Sequence, residues 1–257
     1  MSITLGKHGV PLGEFFGLFQ SLRLCYCHPF HHRTMAKFYE EFIRPDDLCF
    51  DLGSHVGSRV RTWLSLRARV VAVEPQPACA VILRRIYESH PSVVLEEAAI
   101  GERTGEAEFR ISTRSPRIST LSREWIGTIR DSHQFRKVRW NRTVKVPVVT
   151  LDDLIRKHGI PVFCKIDIEG YELQALHGLS TPLRALSFEY VLPRLDLAGR
   201  CIGRLEELGP YEFNWSFGEH MIFDLDHWVD GTAMKQLLHR APSEFRAGDV
   251  YARLRSS

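Results

Sequence analysis

Residues 48–57 read Leu48-Cys49-Phe50-Asp51-Leu52-Gly53-Ser54-His55-Val56-Gly57, and this run decides the fold class. Leu48 to Leu52, apolar but for Asp51, has the length and character of a short buried strand. Gly53 and Gly57 permit a tight turn and close approach of the backbone to a ligand. Residues 58–67 then read as a helix, whose N-terminal amides can complete such a ligand site. No glycine stands two residues after Gly53, so the spacing is not Gly-x-Gly-x-x-Gly, which argues against an ordinary dinucleotide-phosphate cradle.

Outward from this unit the same alternation continues. Residues 69–74 (RVVAVE) form a second expected strand, 76–88 a helix and 92–96 a third strand. Further on, 163–167 (FCKID) and 185–189 read as strands, with a helix over 169–177 between them. Late strands are expected at 211–217 and 248–254, with a helix over 228–238. Strands alternating with helices, several apolar on both faces, imply an α/β fold: a mostly parallel sheet with helices on both faces. Residues 102–149 interrupt the pattern with hairpin-like stretches at 106–112 and 143–149. Upstream, Leu12, Phe15, Phe16, Phe19 and Leu22, then Phe38, Tyr39, Phe42 and Ile43, fall at helical spacings on either side of Pro29. The expected organisation is a helical extension over 1–45 and an α/β domain over 46–257.

At 257 residues, 44% hydrophobic and 25% charged, the chain has the composition of a soluble globular protein with room for one large core. A net charge of +3 is too small to argue for nucleic acid, but its distribution is uneven. Between Arg110 and Lys145 stand ten basic residues against two acids, with Trp125, Phe135 and Trp140 among them. That insertion fits a lid over a pocket for an anionic molecule or, as an alternative, a nucleic-acid surface. No nucleic-acid module accompanies it. Six scattered cysteines, no apolar core within residues 1–10 and no run long enough to cross a bilayer point to a reducing, cytoplasmic setting without a membrane partner. Cys25-Tyr26-Cys27-His28, with His31 and His32, lacks the paired spacing of a structural zinc site, and no metal is assigned there.

Glu74 closes the second strand about twenty residues after the glycine turn, where an acid can accept both hydroxyls of a ribose. Alone it is a solvated strand-end acid; with Asp51, Gly53 and Gly57 at this spacing, a nucleoside site is the better reading. Asp167 and Glu169 end a central strand and Glu189 ends the next, at the edge where open α/β sheets bind ligands.

In order and spacing, DLGSHVG (51–57), Glu74-Pro75, LEEAAIG (95–101), VPVVTLDDL (146–154), KIDIEGYE (165–172) and LSFEY (186–190) resemble the FkbM family of methyltransferases. The resemblance spans about 48–190, and KIDIEG is its most distinctive block. It implies a Rossmann-like class I methyltransferase fold with a seven-stranded sheet. It also implies S-adenosylmethionine as cofactor and, as activity, O-methylation of a hydroxyl on a small molecule or sugar. On this reading Asp51, Gly53, His55, Gly57, Glu74, Glu97 and Ala98 hold the cofactor. Asp167, Glu169 and Glu189 serve as base, as substrate anchors, or as ligands for a divalent cation such as Mg²⁺. Lys165 reads as structural, while Glu172 fits either role.

Two positions depart from the family's usual pattern. His55 stands where asparagine is usual, leaving its charge open to pH. Glu97 stands near an expected asparagine, where an acid could accept a bond from an adenine amino group. The competing classes are an RNA-binding protein or RNA methyltransferase using the basic segment, and a non-catalytic member that binds cofactor. Residues after the fourth strand lack an Asn/Asp-Pro-Pro-Tyr/Phe motif, which counts against methylation of a base amine.

Overall fold

The computed structural model of the chain describes residues 12–26, 29–130, 138–241 and 247–255. Its centre is β1 (Leu48–Leu52), buried along its whole length. Pleating sends alternate side chains to opposite faces. Phe50 and Leu52 accordingly enter one apolar cluster, and Cys49 enters another on the far side of the sheet. To one side of β1 lie β2 (Arg69–Val73) and then β3 (Val93–Glu96), joined by α3 (Ser58–Ser65) and α4 (Pro77–Tyr87). All three strands are parallel.

The chain then leaves the main sheet. β4 (Ala99–Ile100), β5 (Gly105–Ile111) and β6 (Arg142–Val149) make a separate three-stranded sheet, in the order β4-β6-β5. The two hairpin-like stretches of the insertion pair with each other, Phe109 against Val144, and α5 (Arg123–Arg130) lies between them in sequence. From β6 the chain enters α6 (Leu151–His158), which the strand-and-helix reading did not anticipate. The sequence held its signal. Thr150 accepts from the Asp153 backbone N–H at 3.0 Å, and Asp153 accepts from that of Thr150 at 3.1 Å, a reciprocal capping box.

The chain re-enters the main sheet as β7 (Phe163–Ile166), on the other side of β1, followed by α7 (Glu172–His177) and the parallel β8 (Ala185–Val191). α8 (Leu195–Leu208), also absent from the sequence reading, leads to β9 (Tyr211–Phe217). After α9 (Gly231–Leu238), β10 (Ala247–Leu254) inserts antiparallel between β8 and β9. The seven-stranded order is β3-β2-β1-β7-β8-β10-β9, mostly parallel and covered by helices, as expected. Because the winding reverses at β1, the loops leaving β1 and β7 diverge to opposite faces and leave a crevice between them.

Two expected helices begin later than the sequence suggests. α9 starts at Gly231, capped by Asp230, which accepts from the Ala233 N–H at 2.8 Å. α7 starts at Glu172 because Glu169 and Gly170 take left-handed conformations, with φ of 56° and 85°. At the other end of the chain, α1 (Leu12–Tyr26) and α2 (Pro29–Tyr39) do form. Tyr39, with Phe42 beyond the helix, packs with Trp63, Phe163 and Tyr251 in the second core cluster.

The capping box yields a first expectation. Thr150→Ala removes one acceptor from an otherwise well-formed helix start, which costs about 1 kcal/mol. For a domain of this size that lowers the melting temperature by about 2–4 °C. Calorimetry checks it, and an unchanged transition would mean that water replaces the hydroxyl without loss.

Candidate active site

Val73, at the end of β2, holds the turn that follows β1. The Gly53 and Ser54 N–H groups donate to its carbonyl at 2.9 and 3.1 Å. Gly53 has φ of +86°, and a Cβ built there would lie 1.9 Å from the Asp167 carbonyl oxygen, so only glycine fits. His55 is also left-handed, at φ 51°, a conformation costly for an imidazole side chain. Its N–H donates to Glu74 Oε2 at 2.7 Å, while Glu74 Oε1 accepts from the Gln76 N–H at 2.7 Å. Burial pushes the Glu74 carboxyl up to about 8, against the pull of these two amides. Asp51 is buried too, is pushed up to about 6 chiefly by burial, and leaves Oδ2 without a partner.

Two connected chambers open here. The smaller, about 520 Å³, is lined by Glu74, Pro75, Gln76, Ala98, Ile100 and Tyr171, among others. The larger, about 1330 Å³, is lined by Asp51, Arg59, Lys165, Glu189, Glu219 and Asp249, among others. Gly53, His55, Arg117, Asp167 and Glu169 line both, marking their junction. His55 Nε2 is buried without a partner, and burial, assisted by Arg117, pulls the imidazole down to about 3. His55 is therefore neutral across the physiological range, and the pH sensitivity expected from histidine at this position is closed off.

On the other side of the junction, β7 carries Lys165 into the interior. Its Nζ donates to Asp249 at 2.8 Å and pairs with Asp167 at 3.2 Å. Carboxylate oxygens of Asp167, Glu169 and Glu189 all come within 4.8 Å of one another. Burial works against ionised Asp167, but Lys165 and then Arg59 hold it below the usual carboxylate range. Glu169 and Glu189 move well up: burial leads in both, followed by Asp167 for Glu169 and by Glu169 for Glu189. Within the trio the shifts thus run in opposite directions, Asp167 down and Glu169 and Glu189 up.

The loop that displays Glu169 is braced from two sides. Glu172 Oε1 accepts from the Ile168 and Gly170 N–H groups at 3.2 and 3.1 Å. Thr120, in the insertion, donates its hydroxyl to the Glu169 carbonyl at 2.7 Å. A Cβ on Gly170 would stand 2.1 Å from the Trp125 ring, so the insertion is seated directly on this loop.

Of the residues expected at the site, the fold gathers Asp51, Gly53, His55, Glu74, Ala98, Asp167, Glu169 and Glu189 around the two chambers. Gly57 shapes the turn without lining either; a Cβ there would lie 2.9 Å from Leu83 and Tyr87 side-chain atoms. Glu97 is not brought in: its half-exposed carboxylate pairs with Arg84. The sequence reading missed Arg59, Glu219 and Asp249. The available signal for Asp249 was an acid inside the apolar stretch GDVYARL (248–254).

In the basic segment, Arg110 and Arg123 both pair with Glu108. Residues 131–137, Phe135 included, lie outside the described residues, as do Cys27 and His28. Among the described residues, the carboxylate trio is the one cluster with metal-ligating geometry.

Residues 51–227 match the methyltransferase FkbM domain family. The 2-O-methyltransferase NoeI of Sinorhizobium fredii is 28% identical over 169 residues, covering 62% of this chain and 67% of that protein. Hexuronic acid methyltransferase AglP of Haloferax volcanii is 25% identical over 154 residues, covering 59% of this chain and 57% of that one. Among solved structures, the precorrin-6y C5,15-methyltransferase of Geobacter metallireducens is similar at 12% identity, with 88% of each chain covered and a TM-score of 0.41. The domain match takes in the glycine turn, Glu74 and the whole carboxylate trio: the chain belongs to the FkbM methyltransferase family and is an S-adenosylmethionine-dependent methyltransferase.

Proposed function

We propose that the protein methylates a hydroxyl group on a small molecule or sugar. The observation that carries this reading is the junction itself, where the pocket lined by Glu74 meets the larger chamber and the carboxyl groups of Asp167, Glu169 and Glu189 gather within 4.8 Å of one another. The names of the two relatives, an O-methyltransferase and a hexuronic acid methyltransferase, support it.

The residues present fit the cofactor. Glu74 sits where ribose hydroxyls can donate to it, and Ala98 offers an apolar wall for the adenine. The unpartnered Asp51 Oδ2 suits an ammonium group. Gly53 and His55 line the passage toward the larger chamber, and Gly57 holds their turn. Glu97 would have to release Arg84 to join them, and so exposed a pair costs little to break. When bound, S-adenosylmethionine supplies an electrophilic methyl on a sulfonium centre. The chain's own part is to orient the acceptor hydroxyl and take its proton. Asp167, whose carboxyl Lys165 and Arg59 hold low, is placed to accept that proton, while Glu169 and Glu189 stand beside it as anchors for the acceptor's other hydroxyls.

A Mg²⁺ ion across the trio would make activity sensitive to a chelator, whereas proton transfer to Asp167 alone would not. The nucleic-acid alternative is less well supported, since Arg110 and Arg123 are already tied to Glu108. No described helix is long and apolar enough to cross a membrane. Cys25, Cys49, Cys164 and Cys201 are free thiols, which supports a reducing, cytoplasmic setting.

Two expectations follow from these assignments. A Glu74 pKa raised from 4.5 to about 8 stabilises the ligand-free fold below the unfolded value, and that contribution is lost as pH rises toward about 8. Ribose hydroxyls donate to the ionised form, so affinity for S-adenosylhomocysteine should rise with pH up to about 8 and level off above it. Calorimetric titrations of wild type and Glu74→Gln check this. The variant should bind about tenfold to a hundredfold more weakly and lose the slope; an equal slope in both would remove Glu74 from the site.

Asp167→Asn and Glu169→Gln should each leave cofactor affinity nearly intact. If Asp167 takes the hydroxyl proton, Asp167→Asn should lower the single-turnover rate by on the order of 10²–10⁴, and Glu169→Gln, which touches an anchor and not the base, should lower it by less. The rate is read on an acceptor found by screening sugars with radiolabelled cofactor. Near-wild-type rates in both variants would sink the assignment, and loss of wild-type activity to a chelator, restored by Mg²⁺, would replace it with the metal arrangement.

A further inference from the structure

We infer that Thr120, in the insertion, is a positioning residue for methyl transfer, its hydroxyl clamping the Glu169–Gly170 peptide and so fixing where the Glu169 carboxyl stands. The inference rests on the methyl-transfer reading of the site. It adds a residue that acts on the acceptor's anchor without touching acceptor or cofactor.

Glu169 stands in a conformation that its own side chain does not favour. Its φ of 56° is left-handed, as is that of Gly170 at 85°, and only the glycine adopts such a value without cost. A strained backbone of this kind persists only where surrounding contacts over-determine it, and it clusters where the position of a side chain matters. Here the carboxyl so placed lines both chambers and comes within 4.8 Å of those of Asp167 and Glu189.

The peptide linking Glu169 to Gly170 is held at both of its polar ends. Its N–H donates to Glu172 Oε1 at 3.1 Å, and its carbonyl accepts the Thr120 hydroxyl at 2.7 Å. Because a peptide is planar, two bonds at its opposite ends set its tilt, and with it the direction in which the Glu169 side chain leaves the loop. Glu172 lies two residues along the chain, so its bond is local. Thr120 lies 49 residues back and ties the loop to the second sheet. Its N–H and carbonyl exchange bonds of 2.9 Å with Arg110 of β5, and its hydroxyl oxygen accepts from the Ser122 N–H at 2.8 Å. Every polar group of this buried residue is thus bonded, which holds the hydroxyl at one angle. The same short segment walls the cofactor side, where Pro116, Arg117, Ser119 and Leu121 line the smaller chamber. The insertion is therefore built into the site, with Thr120 turned to the carboxylate loop.

The test is a set of single-turnover rates at saturating S-adenosylmethionine, on the acceptor that the sugar screen identifies, for wild type, Thr120→Val and Thr120→Ser. Valine keeps the shape of threonine and omits the hydroxyl; serine keeps the hydroxyl. Thr120→Val should lower the rate about tenfold, the worth of one hydrogen bond expressed in the transition state. Thr120→Ser should restore most of it, and affinity for S-adenosylhomocysteine should stay unchanged in both. Valine also deprives the Ser122 N–H of its acceptor, so the same change is made in a Glu169→Ala background. A residue acting through Glu169 should cost under about twofold there, whereas a merely structural one would cost its full loss again. Hydrogen exchange supplies a reading that needs no acceptor. The Gly170 amide should exchange about tenfold faster in Thr120→Val and regain protection in Thr120→Ser. Should Thr120→Val fail to fold, Thr120→Ala carries the same comparisons. A near-wild-type rate in Thr120→Val, a full loss in the Glu169→Ala background, no recovery with serine, or unchanged exchange at Gly170 each overturns the inference. So does weaker S-adenosylhomocysteine binding in Thr120→Val, which would give the residue to the cofactor pocket. Wild-type protein that transfers no methyl group to any hydroxyl fails the methyl-transfer reading itself, and the inference falls with it.

Discussion

The site depends on a contact that leaves no room for a side chain. Gly53, just past β1, lies against the Asp167 carbonyl, just past β7, and the Asp167 N–H donates to Leu52 O at 3.0 Å. The sheet register sets Asp51 opposite Lys165. This pairing of two strand ends, at the point where the winding reverses, joins the cofactor turn to the carboxylate loop. A methyl group moves only when donor and acceptor are aligned within a few tenths of an ångström. A backbone contact between rigid strands holds such alignment better than flexible side chains could. Any residue larger than glycine at 53 would part the two loops and strain a backbone already at positive φ.

What the sequence disclosed follows from how far each signal reaches. The strand, the glycine turn and the acid at Glu74 are local patterns, and the structure places them where the spacing implied. The KIDIEG block likewise carried Asp167 and Glu169 to the same crevice. Arg59, Glu219 and Asp249 were not legible because they come from α3, the segment after β9, and β10, brought together only by the closed topology. Glu97 shows the reverse failure. It lies in the expected turn, but the side chain follows the exposed edge of the sheet to Arg84, and neighbouring Glu96 pairs with Lys157 and His158. α6 was visible as a motif rather than a helix, although Thr150 and Asp153 spell its cap.

The charges behind the carboxylate trio form a graded series rather than a simple ion-pair cluster. Burying a charge is costly unless a partner and further hydrogen bonds compensate it. Lys165 meets that condition by contacting two aspartates, and Asp167 by facing the same ammonium. Among the described residues no cation stands as close to Glu169 or Glu189, and burial with neighbouring acids pushes both carboxyls up.

His55 brings these constraints together at one position. Left-handed φ is uncommon outside glycine, and asparagine, the residue usual there in the family, and histidine are among the side chains that adopt it most readily. The strain at φ 51° persists because Glu74 accepts the His55 N–H, so this buried acid fixes the turn. In return the turn projects an imidazole into the passage between the chambers. Were it charged, it would stand beside Arg117 and next to a cofactor that itself carries a sulfonium, three positive charges in one narrow space. Burial removes that conflict by keeping the ring neutral, with one nitrogen free to bond whatever occupies the junction. Burial thus moves the two groups in opposite directions, the Glu74 carboxyl up to about 8 and the His55 imidazole down to about 3, so that of the two it is Glu74 whose charge changes near neutral pH.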